Sequence, residues 1–385
     1  MKTLFAEAFE RPQLLLKKKL LLLNWPFLLL VTAITMIGVI ALYSVAGGSL
    51  DPWASRHVAR YCLGLGLLFA VVVVDIRWWL RAAYPLYLLA LLLLAAVMFF
   101  GVESGGARRW LGYEEYSFQP SELMKIALVL AIARYYQWLP PRQVSWPWAV
   151  VPPLLMIGAP VVLALEQPDL GTAALFGIVG CGLLFMAGVS WLYFLGGLAG
   201  AIAVLPHIWE KLHDYQRERI LTFIDPERDP SGSGYHILQS KIAIGSGGFA
   251  GKGFMQGTQA QLNFLPEKHT DFIFTMFSEE MGFIGAAVLL ALYLLALLFI
   301  AYMALRCRST FARLVAAGMG LCLFAYVFIN VAMVTGLVPV VGVPLPLVSY
   351  GGTAMLTMMV GLGFVLNAHV NRSVLIRREE IGPFW

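Results

Sequence analysis

Charge is scarce in this sequence. Asp, Glu, Lys and Arg make up 13% of the 385 residues against 60% hydrophobic, and the mean hydropathy is +0.78. A soluble domain carries about 25% charged residues, so the composition excludes an ordinary soluble enzyme and points to a membrane protein. Cysteine is also sparse. Cys62, Cys181 and Cys322 lie in apolar runs and Cys307 in a basic turn, and no two share CxxC spacing. That leaves neither a disulfide framework nor a zinc site. The net charge of +5 is not gathered into a basic stripe with interleaved aromatics, so nucleic acid is not an expected partner. No internal repeat is evident, which argues against a transporter built from inverted halves.

What the chain has in quantity is long apolar runs. Ten are expected to span the bilayer, at roughly 22–46, 57–75, 82–101, 121–138, 147–165, 171–187, 191–206, 272–304, 311–337 and 350–370. The first follows Lys17-Lys18-Lys19, as a signal peptide would. It is too long for a signal and lacks a small-residue cleavage site, so it is read as a retained span. With ten spans both termini share one side. Lys17 to Lys19, Arg77, Arg81, Arg134, Arg142, Arg306, Arg308, Arg313, Arg372, Arg377 and Arg378 fall on that side. The short loops opposite hold only Arg56, Arg60, Arg108 and Arg109. Basic residues in short loops mark the cytoplasmic side. The predicted fold class is therefore an all-α polytopic protein of the cytoplasmic (inner) membrane. Ten transmembrane helices form a single domain over 1–385, with cytoplasmic tails at 1–21 and 371–385. A large extracytoplasmic loop, 207–271, lies between helices 7 and 8.

The unusual polar sequence clusters in the outward connections. Glu267, Lys268, His269 and Asp271 stand directly before the eighth span. Ionisable groups at the bilayer edge suggest a functional site; the alternative is that Thr270 or Asp271 merely caps the helix. Further back, Arg108 and Arg109 lead through Phe118-Gln-Pro-Ser-Glu122 into a span carrying Lys125. Pro120 suits a helix start. Glu122 and Lys125 are three apart and share a face, either as a structural ion pair or as part of a cationic rim able to hold a diphosphate. Glu166-Gln-Pro-Asp-Leu-Gly-Thr172 is an acidic turn, and the Pro/Gly-broken apolar segment Val338–Thr353 needs protein or a water-filled cavity to satisfy its backbone. Within 207–271, Asp225–Gly234 is turn chemistry. Ile237–Ala243 has helical apolar spacing, which Gly245-Ser-Gly-Gly248 and Gly251-Lys-Gly253 interrupt. That pattern suits a surface-lying or re-entrant element, or a plain glycine-rich connector. No strand precedes these glycines and no Gly-Lys-Ser/Thr ending follows, which argues against a nucleotide loop.

Seven motifs together resemble the SEDS family (shape, elongation, division and sporulation). They are GARRWL at 106–111, FQPSELMKI at 118–126, QPDLGTA at 167–173, LQSKIAIGSGG at 238–248, GKG…GTQAQLNFLPEKHTDFIF at 251–274, SEEMGFIG at 278–285 and PLPLVSYGG at 344–352. The resemblance covers about residues 20–372, and the HTDFIF block points to the RodA branch rather than FtsW. It implies a peptidoglycan glycosyltransferase that polymerises lipid II into β-1,4 glycan strands on the outer membrane face for elongation and rod shape. It also implies a class B penicillin-binding transpeptidase and other elongation-complex proteins as partners. Asp271 matches the family's essential acidic residue, and Arg109, Trp110, Glu122 and Lys125 match further sensitive positions. Transfer from an α-linked lipid diphosphate to a sugar hydroxyl with one inversion needs a single general base, for which Asp271 is the candidate. Gln167, Asp169, Lys252, His269 and Ser349 are further candidates for substrate binding. No metal cage is visible; a Mg²⁺ held mainly by substrate phosphates would leave little trace. Two other functions compete: a lipid II flippase, and a non-catalytic scaffold for the transpeptidase.

Overall fold

A computed structural model describes residues 16–104, 107–112, 118–211, 217, 221–223, 225, 233–261, 265 and 267–376. The outer parts of both predicted tails, most of the 225–234 turn and the side chain of Arg108 lie outside the described residues. The chain folds as a helical, multi-pass membrane protein. Its helices are α1 (Leu16–Leu21), α2 (Trp25–Val45), α3 (Ala54–Val73), α4 (Ile76–Phe100), α5 (Pro120–Trp138), α6 (Pro147–Glu166), α7 (Leu170–Ala187) and α8 (Trp191–Lys211). Then come α9 (Ser233–Gly247), α10 (Thr258–Gln261), α11 (Ile273–Leu305), α12 (Thr310–Val334) and α13 (Gly352–Val370). Eight of these, α2, α3, α4, α6, α7, α11, α12 and α13, are long and apolar enough to cross a membrane. α5 is as long but carries Glu122, Lys125 and Arg134, and α8 is apolar only over Trp191–Ala203.

The prediction of an all-α chain needs one correction. Gly101 ends α4, and the chain then forms an antiparallel ribbon of β1 (Val102–Ser104) and β2 (Ala107–Trp110). The register pairs Val102 with Trp110, Glu103 with Arg108 and Ser104 with Ala107, with an irregularity between Val102 and Glu103.

Sequence sets the helix ends. The side chains of Asn24, Asp75, Asp169 and Ser309 accept from backbone N–H groups in the first turns of α2, α4, α7 and α12, and Gly188 closes α7 in the left-handed conformation. Such caps satisfy N–H groups that a helix cannot pair internally. α5 and α12 are buried almost all round and form the centre, with α12 packed on α5, α7, α11 and α13. Close approach uses small residues, as membrane bundles generally do: an added Cβ at Gly38 would meet Val348 Cα at 2.6 Å.

The two ends of the bundle differ. At one end, buried and half-buried polar side chains tie the helices together. Asn367 Nδ2 donates to the carbonyls of Val71, Val72 and Val74 at 2.9, 3.2 and 2.7 Å. Gln137 donates to Ile376 O at 2.9 Å and accepts from Phe311 N at 2.7 Å. Arg134 donates to Leu80 O and Arg81 O at 3.1 and 2.9 Å. At the other end meet the C-termini of α2, α4, α6 and α12 and the N-termini of α3, α5, α7, α11 and α13, with the connections that hold the motifs.

α11 is not one continuous helix, as the 272–304 run predicts. Gly282 sits at φ 66°, ψ −166°, a conformation open to glycine and strained for other residues. The break is filled by the segment after α9. Lys252 N and Gly253 N donate to Glu279 O and Glu280 O, both at 3.0 Å, and Phe283 N and Ile284 N donate to Gly248 O and Phe249 O at 3.0 and 3.2 Å. The freed backbone groups are thus satisfied at membrane depth. α9 itself runs through Gly245 to Gly247 before it yields to this segment, one turn beyond the interruption expected from the sequence.

Candidate active site

Asp271 lies on the turn entering α11. Three bonds fix its backbone. Asn330 Nδ2 donates to Asp271 O at 2.9 Å and also to Val343 O at 2.7 Å. Ser349 Oγ donates to Thr270 O at 2.6 Å, and Tyr350 N donates to His269 O at 2.9 Å. The side chain is treated differently: among the described residues no hydrogen bond reaches its carboxylate. The N-cap of α11 is Phe272, without a side-chain capping bond, and Thr270 Oγ1 donates instead to Glu267 at 2.8 Å. The helix-cap alternative for Thr270 and Asp271 is therefore excluded. Burial first, and then the neighbouring Glu267, push the Asp271 carboxyl up to about 7, against the opposing pull of Arg109. A carboxylate held near neutrality suits a general base.

Arg109 reaches this region from β2. Its Nη2 donates to Pro168 O at 2.5 Å, its Nε is 3.8 Å from Asp169 Oδ2, and that Nε is buried without a hydrogen-bond partner. Asp169 is also the cap of α7, accepting from Thr172 N at 3.1 Å and Thr172 Oγ1 at 2.8 Å. Gln167 Nε2 donates to Leu94 O at 2.6 Å, fastening the acidic turn to α4. Trp110 is half-buried at the end of β2, paired with Val102.

Other predicted residues are committed elsewhere. Lys125 Nζ is 2.7 Å from Glu122 Oε1, and Tyr326 OH donates to both Glu122 oxygens at 2.9 and 3.1 Å. Lys125 also donates to Tyr326 OH. All three are buried, so this is a closed ion pair under the site rather than an open cationic rim. It lines a small recess with Met319, Cys322 and Met358. Lys252, expected among the substrate-binding residues, is neutralised by Glu279 at 2.6 Å and bonded to Thr258 Oγ1 at 2.8 Å. Ser349 Oγ, besides its bond to Thr270, accepts from Leu345 N at 2.7 Å and so shapes the turn.

The structure adds residues that sequence reasoning missed. His269 stacks on Trp53 at 4.5 Å between ring centroids, and lies 5.8 Å from Tyr350, over which the Arg60 guanidinium sits at 4.4 Å. Arg60 entered the sequence argument only as a topology charge. Asn330 and Tyr326 lie inside an apolar run, and the one available signal was their polarity at membrane depth.

Residues 22–374 match the FtsW/RodA/SpoVE family of cell cycle proteins. The chain belongs to this family. It is 43% identical over 351 residues to the peptidoglycan glycosyltransferase MrdB of Escherichia coli K12, covering 90% of this chain and 94% of that one. It is 35% identical over 352 residues to a probable peptidoglycan glycosyltransferase FtsW of Trichlorobacter lovleyi, covering 88% and 91%. One solved family structure comes from work on polymerization and crosslinking coordinated by a peptidoglycan synthase complex. It superposes with a TM-score of 0.80 at 36% identity, covering 91% of this chain and 98% of that one. The rod shape determining protein RodA of Thermus thermophilus superposes at 0.69 with 32% identity over 91% and 97%. An aspartate-to-alanine mutant of that family member gives 0.69 with 31% identity over 91% and 98%.

Proposed function

We propose that this protein is a peptidoglycan glycosyltransferase of the elongation type, joining lipid II disaccharide units into β-1,4 glycan strands. The observation that carries the reading is the Asp271 carboxylate, anchored through its backbone, free of hydrogen bonds at its oxygens among the described residues and pushed up to about 7. The 43% identity to MrdB over 90% of the chain supports the substrate class. In the reaction, Asp271 takes the proton of the attacking sugar 4-hydroxyl. The new bond forms at the donor's anomeric carbon as the bond to the diphosphate oxygen breaks, with inversion. Arg109 is the candidate to stabilise the developing diphosphate charge; its Nε, ion-paired with Asp169, makes no hydrogen bond of its own. Asp169 orients Arg109, Trp110 and Gln167 hold the ribbon and the acidic turn, and the Glu122–Lys125 pair supports the floor. No step passes through a metal; a Mg²⁺ carried in on the substrate's phosphates is compatible with this scheme.

The single membrane domain has ten spans, α5 and α8 joining the eight apolar helices, with both termini cytoplasmic and the 207–271 connection outside. The clustering of Lys and Arg in the connections opposite Asp271 supports this orientation. The partner is a class B penicillin-binding transpeptidase, in line with the synthase complex that the fold matches.

The test is reconstitution with that transpeptidase and purified lipid II. Wild-type protein is expected to make glycan polymer, and folded Asp271→Asn protein is expected to make almost none. Labelled lipid II crossing the bilayer without polymer would establish the flippase instead.

A further inference from the structure

We infer that Glu279 and Glu280 are positioning residues for Asp271, acting through the half-helix that carries both glutamates and follows directly on the Asp271 turn. The inference rests on the proposed role of Asp271 as base. The half-helix is Ile273–Met281, cut from the rest of α11 by the Gly282 break. Its hydrogen-bond ladder does not continue through that break, so its orientation must be fixed from outside. At its start it is held by Asn330, Ser349 and Tyr350. In its middle, Thr275 Oγ1 shares a 2.7 Å hydrogen bond with Ser240 Oγ on α9, which donates to Val334 O at 2.7 Å. At its end stand the two glutamates.

Both are buried, and both carboxylates are hydrogen-bonded. Glu279 Oε1 accepts from Lys252 Nζ at 2.6 Å, Thr258 N at 3.0 Å and Thr258 Oγ1 at 2.9 Å, and Oε2 accepts from Gln259 N at 3.2 Å. Glu280 accepts from Ser44 Oγ at 2.5 and 2.7 Å and from the backbone of Met255 and Gly257. Two adjacent carboxylates therefore join the half-helix to α2, to α10 and to the segment filling the break. Two buried carboxyl groups with one lysine, paired to Glu279, are a poor way to gain stability, since apolar residues would pack there as well or better. What such a network supplies is a single geometry. A carboxylate that must meet a sugar hydroxyl at hydrogen-bond distance needs that, because a misplacement of about 1 Å costs about 100-fold in rate.

The charges facing Asp271 are Glu267 on its own turn and Arg109 from β2; α12 and the 338–351 segment present Asn330 and Gly342, which do not titrate. None of these belongs to the glutamate network, so the network reaches the base only through the half-helix.

The experiment measures kcat, KM for lipid II and the pH–rate profile for the protein reconstituted with its transpeptidase, comparing wild type with Glu279→Gln, Ser44→Ala, Lys252→Arg and Asp271→Asn. Glu279→Gln is expected to lower kcat by about 10- to 100-fold with KM within about twofold. It should also move the acid limb of the profile below its wild-type midpoint, as a loosened turn lets water reach the Asp271 carboxylate. Ser44→Ala, which removes a single hydroxyl, should show the same pattern at about threefold, and carries the test if Glu279→Gln does not fold. Lys252→Arg keeps the cation and should retain most of the rate. Folded Glu279→Gln and Ser44→Ala proteins with wild-type kcat and midpoint would overturn the positioning role while leaving the base intact if Asp271→Asn is inactive. If Asp271→Asn is active, the base reading and this inference fall together.

Discussion

The two ends of this bundle use buried polar side chains in opposite ways. At the end of Asn367 and Gln137, side-chain donors meet backbone carbonyls, and Asn367 closes the C-terminus of α3. At the end of Asp271, backbone and side-chain donors hold the chain around one carboxylate, whose oxygens have no hydrogen-bond partner among the described residues. In the first arrangement the amides of Asn367 and Gln137 find their partners within the protein. The second is an unfinished hydrogen-bond system, held in place by its surroundings. An unpaired acid at a membrane edge is costly, so its persistence inside a well-anchored turn argues for chemistry, whereas the far-end network argues only for closure.

Four measurements break or sharpen this contrast. The largest effect is expected from Asp271→Asn: polymerisation of lipid II should fall by about 100- to 10,000-fold, the range for loss of a general base. Its effect on stability should have the reverse sign. A carboxyl raised to about 7 in the folded chain, from 3.8, makes the fold progressively less stable as pH rises through that window. Thermal unfolding should therefore show the Asn variant stabilised at pH 8 and unchanged near pH 4. Next comes Lys125→Met, which leaves Glu122 buried with Tyr326 alone. It should cost about 3–5 kcal/mol of stability, read as a lowered unfolding midpoint in detergent. Equal stability of variant and wild type would contradict the closed ion pair. Third is the wild-type rate itself. Below pH 7 it should fall about tenfold per pH unit as Asp271 takes up its proton, and Asp271 should set the acid limb. The smallest effect is expected at the far end. Asn367→Ala should cost about 1–3 kcal/mol by leaving buried carbonyls unmet, with kcat per folded molecule unchanged. A change in kcat there would dissolve the distinction between the two ends.

Much of this was legible in the sequence, for a physical reason. Hydrocarbon thickness fixes span length, so the run predicted at 147–165 is the helix Pro147–Glu166, and the run at 311–337 covers Thr310–Val334. Local pairings were legible too: Glu122 and Lys125, three apart on one helix, do meet. Long-range pairings were not. Lys252 reads as a free cation in a glycine-rich stretch, and nothing nearby in sequence announces Glu279 as its partner. Gly282 reads as an ordinary glycine in an apolar run; only the segment lying against it shows that the helix is cut there. The aromatic and cationic group of Trp53, His269, Tyr350 and Arg60 gathers residues from three distant motifs, and hydropathy carries no record of such a meeting.

One amide has a wider reach than its size suggests. Asn330 rises from α12, one of the two central helices of the bundle, and its single Nδ2 grips both Asp271 O and Val343 O. The turn carrying the acid and the proline-rich segment beside it are thereby yoked to a common post. A bulky lipid-linked sugar that pushes one of them aside must drag the other along, so admission of substrate and aim of the carboxylate are mechanically a single adjustment.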